Sequence, residues 1–431
     1  MLKKYTFAEK EIMRVLIVNT SERIGGAAIA ADRLMKALID NGMKTKMLVR
    51  DKQTEESSVV QLRKSWKTTW NFLWERFLIW VSNRFSKTNL FAVDIANTGT
   101  DITSLPEFAQ ADIIHLHWIN QGMLSLKGIR KIIRSGKPIV WTMHDMWPVT
   151  GICHHADTCE KYRTECYDCP LLGRRGKRDL SYRTFQRKKR MYQGANLTFV
   201  GCSRWIAERA EESRLIQGMT VRSIPNPIDV DLFRPRDKRQ ARKYCRLPED
   251  KKLLLFGSVK LTNKQKGIDY LIEACRLLAG RSSHWSKDFG VVIFGQNADR
   301  FAALFPFPCY AMNYISDEKE LVNIYNAVDL YVTSSLMENL PNTIMEAMSC
   351  GIPCVAFHVG GIPEMVDHLH NGYVARYRSA EDLANGIEWA LSQEYERLSE
   401  SARRKAVSAY SKNQVAKQYI HLYHMITAGH A

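Results

Sequence analysis

Short apolar runs alternate with amphipathic stretches along most of this chain. Val15–Val18 is a four-residue apolar run, followed by a Gly25-Gly26-Ala-Ala turn that enters a helical pattern ending near Asn41-Gly42. Asp112–His117, Ile139–His144 and Leu197–Gly201 read as further buried strands, rich in β-branched and aromatic residues. Pro225-Asn-Pro227 and Phe233-Arg-Pro235 interrupt the pattern, and it then restarts. Leu253–Gly257 and Val291–Gly295 read as strands, Ile268–Leu278 and Glu318–Ala327 as helices, and Val328–Ser334 as another strand. Strands that alternate with helices imply parallel sheets covered on both faces. The expected fold class is therefore α/β, with two doubly wound, Rossmann-like domains facing across a cleft. Their expected bounds are 13–228 and 229–400, with an extension at 1–12 and a helical segment at 401–431.

Such sheets bind ligands at the carboxyl ends of their strands, which directs attention to the segments that follow each strand. After Val328–Ser334 come two glutamates eight positions apart, Glu338 and Glu346. Pro341 suits the first turn of a helix, and Gly351-Ile-Pro353 suits its end. Glu338 then falls in the strand-to-helix loop and Glu346 about two turns into the helix, on the order of 10 Å apart along the axis. The amides at a helix start favour a phosphate between the two carboxylates. On spacing alone, a pair of exposed helix glutamates fits equally well. Lys266 precedes the Ile268–Leu278 helix, where an ammonium could neutralise a departing diphosphate or simply be solvated. His144 ends one strand of the first half, and His117 ends its neighbour, with Trp118 next.

Composition narrows the class. Of 431 residues, 45% are hydrophobic and 25% charged, which is globular and long enough for two or three domains. A net charge of +17 favours anionic partners: nucleotide phosphates, nucleic acid or an anionic membrane. The basic runs lack a recognisable helix-turn-helix or RNA-binding motif, so no nucleic-acid partner is expected. Met1–Lys10 has no apolar core, and no apolar run reaches the ~18 residues of a membrane span. A cytoplasmic protein follows, with Met13 a natural start.

Two segments carry chemistry of a different kind. Cys153, Cys159, Cys166 and Cys169 fall within 17 residues, with a Cys-x-x-Cys pair followed by Pro170. A structural zinc, with His154 or His155 replacing one thiol, competes with a disulfide-stapled loop and with free thiols. Trp66, Trp70, Leu73, Trp74, Phe77, Trp80, Val81 and Phe85 form an apolar helical stretch among Lys64, Lys67, Arg76, Arg84 and Lys87. It suits either a membrane interface or a core helix. Arg174–Arg178 and Arg187–Arg190 are a second basic stretch. Together these suit an enzyme peripheral to an anionic inner membrane face.

Met337-Glu-Asn-Leu-Pro341 and Glu346-Ala-Met-Ser-Cys-Gly351-Ile-Pro353, continued by Gly360-Gly361-Ile-Pro-Glu364 and Asn371-Gly372, resemble the donor-site signature of retaining GT-B glycosyltransferases of family four (group 1). The resemblance implies a GT-B fold whose last helix packs back on the first domain. It implies a donor site of Gly25, Gly26, Gly257, Lys260, Lys266, Glu338, Asn339, Leu340, Pro341, Asn342, Thr343 and Glu346. Glu338 would touch the transferred sugar, Glu346 the nucleotide ribose, and Lys266 the diphosphate. Where family members carry Gly-Arg, this chain has Gly257-Ser258-Val-Lys260, so Lys260 supplies the second positive charge, or Lys264 does, or that contact is missing. Thr142-Met-His144-Asp145 matches a family segment whose histidine lies near the reacting sugar, with His117 and Asp145 as acceptor-side candidates. Trp147–Gly151 with the cysteine cluster resembles a subgroup that builds colanic acid and other bacterial surface polysaccharides. The expected activity is transfer of a sugar from a nucleotide-diphosphate donor to a glycan or lipid-linked glycan, with retention and without a catalytic metal or other cofactor. The alternatives are an epimerase or phosphorylase on the same fold, a basic nucleic-acid-binding protein, or a membrane-associated structural protein.

Overall fold

The computed structural model describes residues 12–63, 65–282 and 284–428. The expected extension at 1–12 lies outside them except for Ile12, and so does Lys64. The chain forms two compact units. The first comprises residues up to Val200, Ala210–Arg222 and the chain from Ala416; the second comprises Gly201–Arg209 and Ser223–Val415.

The first unit holds a seven-stranded sheet. Its strands are β1 (Arg14–Ser21), β2 (Lys44–Asp51), β3 (Val59–Gln61), β4 (Ile113–Leu116), β5 (Ile139–Met143), β6 (Leu197–Gly201) and β7 (Thr220–Ser223). They lie in the order β3-β2-β1-β4-β5-β6-β7. β1 pairs in parallel with both β2 and β4, Val15 opposing Thr45 on one side and Ile113 on the other. The central strands are buried throughout, as their unbroken apolar runs require. β2, β3 and β7 carry no such run. Lys44 and Lys46 alternate outward on β2, and β7 buries only Val221, so the apolar pattern that marks the central strands is absent there.

The second unit holds β8 (Lys252–Lys260), β9 (Phe289–Gln296), β10 (Cys309–Met312), β11 (Leu330–Thr333), β12 (Cys354–Phe357) and β13 (Gly372–Ala375). Their order is β10-β9-β8-β11-β12-β13, and all pairings are parallel. Side chains alternate across this sheet. Leu253 and Leu255 enter one apolar cluster with Tyr331 and Ile344, while Leu254 and Phe256 enter another with Ile272 and Val332. Helices cover both faces, so the central positions Leu253–Phe256 of β8, Phe289–Gly295 of β9 and all of β11 and β12 are buried.

The C-terminal boundary differs from the expected 400/401. The helix Tyr395–Tyr410 packs on the helix Asn342–Ser349, and its Ala402, Ala406 and Tyr410 share a core with Met345 and Met348. Only from Ala416, within the helix Lys412–Ala428, does the chain belong to the first unit. There the Tyr419 hydroxyl meets Thr142 Oγ1 at 2.9 Å and the Tyr423 hydroxyl meets His115 Nδ1 at 2.7 Å. The boundary between the first and second units likewise falls at 222/223 instead of 228/229.

Candidate active site

In both sheets the strand order reverses beside the first strand, between β1 and β4 in one and between β8 and β11 in the other. Ligand crevices in open α/β sheets form at such switch points. The segment after β8 carries Lys266, and the segment after β11 carries Glu338. The structure brings them together: Lys266 Nζ lies 2.5 Å from Glu338 Oε1, with 34% and 14% of the side chains exposed. A cation and a carboxylate 72 positions apart thus meet at the crevice the topology defines.

Two glycine turns hold this pair. Gly267 has φ 67°, and a Cβ there would lie 2.0 Å from Ser334 O. Ser334 Oγ donates to Gly267 O at 2.7 Å, and Leu336 N donates to Gln265 O at 2.8 Å. The Lys266-Gly267 turn is therefore stitched to the loop bearing Glu338. On the other side, Gly360 has φ 57°, and its Cβ would lie 1.8 Å from Glu338 O. Gly361 N donates to Asn339 O at 2.7 Å. Only glycine allows backbone to approach this closely.

The remaining donor-side expectations divide by burial. Asn342 and Thr343 are partly exposed at the start of the helix Asn342–Ser349, where first-turn amides lack intrahelical acceptors. Pro341 caps that helix instead of entering it, so Glu346 is little more than one turn in, not two. Glu346 is only 4% exposed and accepts a 2.8 Å bond from the Tyr325 hydroxyl. Burial together with the Glu346 carboxylate raises the Tyr325 pKa far above its ordinary value. Asn339 is buried, accepting from Ser203 Oγ at 2.5 Å and donating to Cys202 Sγ at 3.0 Å, so its side chain braces the loop from beneath. Leu340 is a core residue. Gly257 is partly exposed, and glycine is required there because a Cβ would strike the Phe294 ring at 2.0 Å. Lys260 stands exposed at the end of β8, beyond a register shift between Gly257 and Lys260. Glu364 caps the helix Arg204–Glu211, accepting from Arg204 N at 2.9 Å and Trp205 N at 2.8 Å.

In the first unit, Gly25 and Gly26 follow β1 and open α1 (Gly26–Asp40). Gly25 has φ 94°, which favours glycine, and no side chain caps the helix. His117 and His144 are adjacent, His117 Nδ1 lying 2.9 Å from His144 Nε2. Burial lowers the His144 pKa to about 4 and pushes His117 well below its ordinary value. Both rings are neutral near pH 7, so in the contact between them one nitrogen donates and the other accepts. His115, by contrast, is a core group held by Tyr423 and by Thr142 Oγ1 at 2.8 Å.

Asp145 is occupied. Its carboxylate accepts from Trp118 Nε1 at 2.8 Å, Trp147 N at 2.8 Å and His154 Nδ1 at 2.7 Å. Its pKa falls to about 2 because the charge and bonds of His154 outweigh the cost of burial. Asp145 therefore positions the loop after His144 and is not an open acceptor-side group. His154 Nε2 lies 2.9 Å from Asp94 Oδ2, so both of its ring nitrogens are committed to carboxylates, which raise its pKa to about 10 against the desolvation of burial. It cannot replace a thiol at a metal. The ten cysteines are unbridged, and burial lifts Cys166 to about 12 and Cys169 to about 11. Among the described residues no group of three or more His, Cys, Asp or Glu is arranged to hold a metal ion, so neither the zinc nor the disulfide reading of Cys153, Cys159, Cys166 and Cys169 finds geometric support.

A pocket that the apolar pattern did not reveal lies at the carboxyl end of β2. It measures about 660 Å³ and is lined by Arg50, Asp51, Gln121, Phe72 and Trp66. Arg50 spans it, bonding Asp51 Oδ2 at 2.7 Å and Gln121 O at 2.5 Å. The missed signal is the end of β2 itself, where apolar alternation gives way to Arg50-Asp51.

Comparison with known proteins agrees with this architecture. Residues 24–232 match the model of glycosyltransferase family 4, and residues 237–406 match that of glycosyl transferases group 1. A protein of Escherichia coli K12 named as a colanic acid biosynthesis glycosyl transferase, WcaC, is 24% identical over 336 residues, 72% of this chain and 76% of that protein. Two other curated relatives match over about half of their own length, 49% and 53%. Among solved structures, a glycosyltransferase from Rickettsia africae superposes with a TM-score of 0.66 at 16% identity, covering 97% of this chain and 99% of that one. Anabaena HepE in complex with UDP-glucose gives a TM-score of 0.60 at 15% identity, covering 95% and 99%. Two matched domain models that together span most of the chain, on two Rossmann-like sheets, place this protein in the group 1, family 4 glycosyltransferases of GT-B fold.

Proposed function

We propose that the protein transfers a sugar from a nucleotide-diphosphate donor to a hydroxyl of a lipid-linked glycan, with retention at the anomeric carbon, in the assembly of a bacterial surface polysaccharide. The observation that carries the reading is the Lys266–Glu338 pair at the β8/β11 switch point, beside the start of the helix Asn342–Ser349. As the donor bond breaks, negative charge grows on the leaving diphosphate. The Lys266 ammonium and the first-turn amides at Asn342 and Thr343 stabilise it where it forms. Glu338 accepts hydrogen bonds from hydroxyls of the transferred sugar, and Glu346, held by Tyr325, addresses the ribose. These groups supply the positive field without a catalytic metal. UDP-sugars are the first donors to screen, because HepE binds UDP-glucose on the same fold.

On the first unit, neutral His144 is assigned to hydrogen bonding with a sugar, oriented by His117. The pocket at Arg50, Asp51 and Phe72 has the size and mixed lining of a sugar site and is assigned to the acceptor glycan. The test is a thermal-shift screen with UDP-, GDP- and ADP-sugars, followed by a transfer assay in chelator. The expected result is stabilisation by one nucleotide class, lost in Glu346→Gln, and transfer that survives chelation. Nucleotide release without acceptor, or turnover with free phosphate, would instead indicate an epimerase or phosphorylase.

A further inference from the structure

The helix α2 (Trp66–Ser82) turns Glu75 and Arg76 inward, while Lys67 and a row of its aromatic and aliphatic side chains lie outward. Glu75 and Arg76 are buried: Glu75 accepts from Ile95 N at 2.9 Å and Ala96 N at 2.6 Å, and Arg76 pairs with Asp94. Trp66, Trp70, Leu73, Phe77 and Val81 are exposed, Trp66 by 73% and Leu73 by 53%. They recur every three or four residues and form one stripe along a helix about 25 Å long, which Phe85 continues. Rings pack along it, with Trp70–Trp74 and Trp74–Phe77 centroids each 5.7 Å apart. Lone exposed apolar residues are ordinary; a contiguous stripe of this length marks a contact surface.

A second feature is fixed to the same helix. Arg174 N donates to Ser82 O at 2.8 Å, and Gly173 N donates to Asn83 Oδ1 at 3.1 Å. A Cβ on Gly173 would lie 2.7 Å from Asn83 O, so glycine lets the loop press against the helix end. A pocket of about 310 Å³ opens there, lined by Ser82, Arg174, Arg175, Arg178, Asp179 and Arg183. Four guanidinium groups thus face one carboxylate, and that carboxylate is engaged with Tyr182 N at 3.1 Å and Cys169 N at 2.8 Å. Arg175 pairs with Asp168 at 3.2 Å; among the described residues no carboxylate pairs with Arg174 or Arg178.

We propose that α2 and this pocket form a membrane-docking surface, in which the aromatic stripe enters the interfacial layer of an anionic bilayer and the arginine pocket takes a lipid head-group phosphate. Tryptophan and phenylalanine beside basic residues suit that interface, and guanidinium groups match phosphate in geometry as well as charge. A second copy of this chain would bring its own positive charge, +17, against the same arginines. A bilayer presents an apolar layer and a phosphate layer side by side, as the stripe and the pocket do. The proposal does not rest on the identity of the donor.

The experiment is flotation of the full chain with vesicles of phosphatidylcholine alone and vesicles enriched in phosphatidylglycerol, at low and high salt. Binding is expected only with the anionic vesicles, weakened by salt. Each basic residue near such a surface contributes about fivefold, so Arg174→Gln with Arg178→Gln should weaken binding by roughly thirtyfold. Leu73→Ser with Phe77→Ser should abolish it. Both pairs are at exposed positions, and the thermal shift by nucleotide sugars should be unchanged in both; a lost shift would report misfolding and call for Leu73→Ala with Phe77→Ala in its place. Wild type that fails to float with anionic vesicles overturns the proposal. So does stabilisation by inorganic phosphate without flotation, which would make the pocket a free-anion site. A dimer in sedimentation that Leu73→Ser with Phe77→Ser dissolves, without flotation of wild type, would assign the stripe to self-association and also overturn it.

Discussion

Two cationic side chains decide most at the scale of single residues. In the proposed function Lys266 meets the leaving diphosphate, so Lys266→Ala should lower kcat/KM by roughly 10²–10³ while leaving the fold intact. Lys266→Arg should recover only part of this, because a planar guanidinium does not place charge as a compact ammonium does. Steady-state kinetics with the donor found by screening checks both. His154 is the opposite case, a cation whose work is structural. It holds Asp94 and Asp145 on either side. His154→Gln leaves the buried Asp145 without its charge partner and Asp94 with Arg76 alone, and should cost about 3–5 kcal/mol in chemical denaturation. The sequence placed Lys266, Glu338 and Glu346 because their types and spacing carry a signature. It could not tell that Asn339 braces the loop or that Gly257 serves Phe294, since both depend on neighbours remote in the chain.

Among the elements, β4 and the residues just after β4 and β5 carry the histidines that set the acid limit of stability. Burial lowers His115 to about 3 and His144 to about 4, from 6.5, and pushes His117 down too. A base with a depressed folded pKa contributes stability that is present above 6.5 and lost as pH falls toward the folded value. Stability should therefore decline below about pH 6.5 and down to about 4, by at most ~1.4 kcal/mol per pH unit for each histidine. Asp145 beside His144 opposes its shift, and His154, raised to about 10, keeps its proton throughout this window and does not offset the loss. Denaturation midpoints from pH 7.5 to 4.5 check the sign; a flat profile would mean that these rings are solvated. In the second unit, Gly267→Ala should displace the Lys266 turn, because its Cβ would meet Ser334 O. A donor affinity at least tenfold weaker, read by titration, is the expected outcome.

For the molecule as a whole, the C-terminal helix matters more than its position suggests. Tyr419 and Tyr423 complete the hydrogen bonding of Thr142 and His115, which lie 277 and 308 residues earlier. Ending the chain after Val415 should lower the denaturation midpoint of the first unit and leave the nucleotide-sugar shift of the second in place, as two-probe unfolding can read. The sequence by itself determined the centres of the two parallel sheets, because buried parallel strands need unbroken apolar runs and the chain supplies them in order for β1, β4, β5 and β6 and for β8, β9 and β11. It determined the donor signature as well, since loop and helix residues there are local to one another. Tertiary structure alone decided that Lys266 meets Glu338, that the domain boundary falls at Ala416, and that α2 hides Glu75 and Arg76 while Trp66, Trp70 and Phe77 stay exposed. The physical reason is common to all three: apolar periodicity says that a face is covered or a strand is buried, but which partner lies opposite is fixed by packing between segments far apart in the chain.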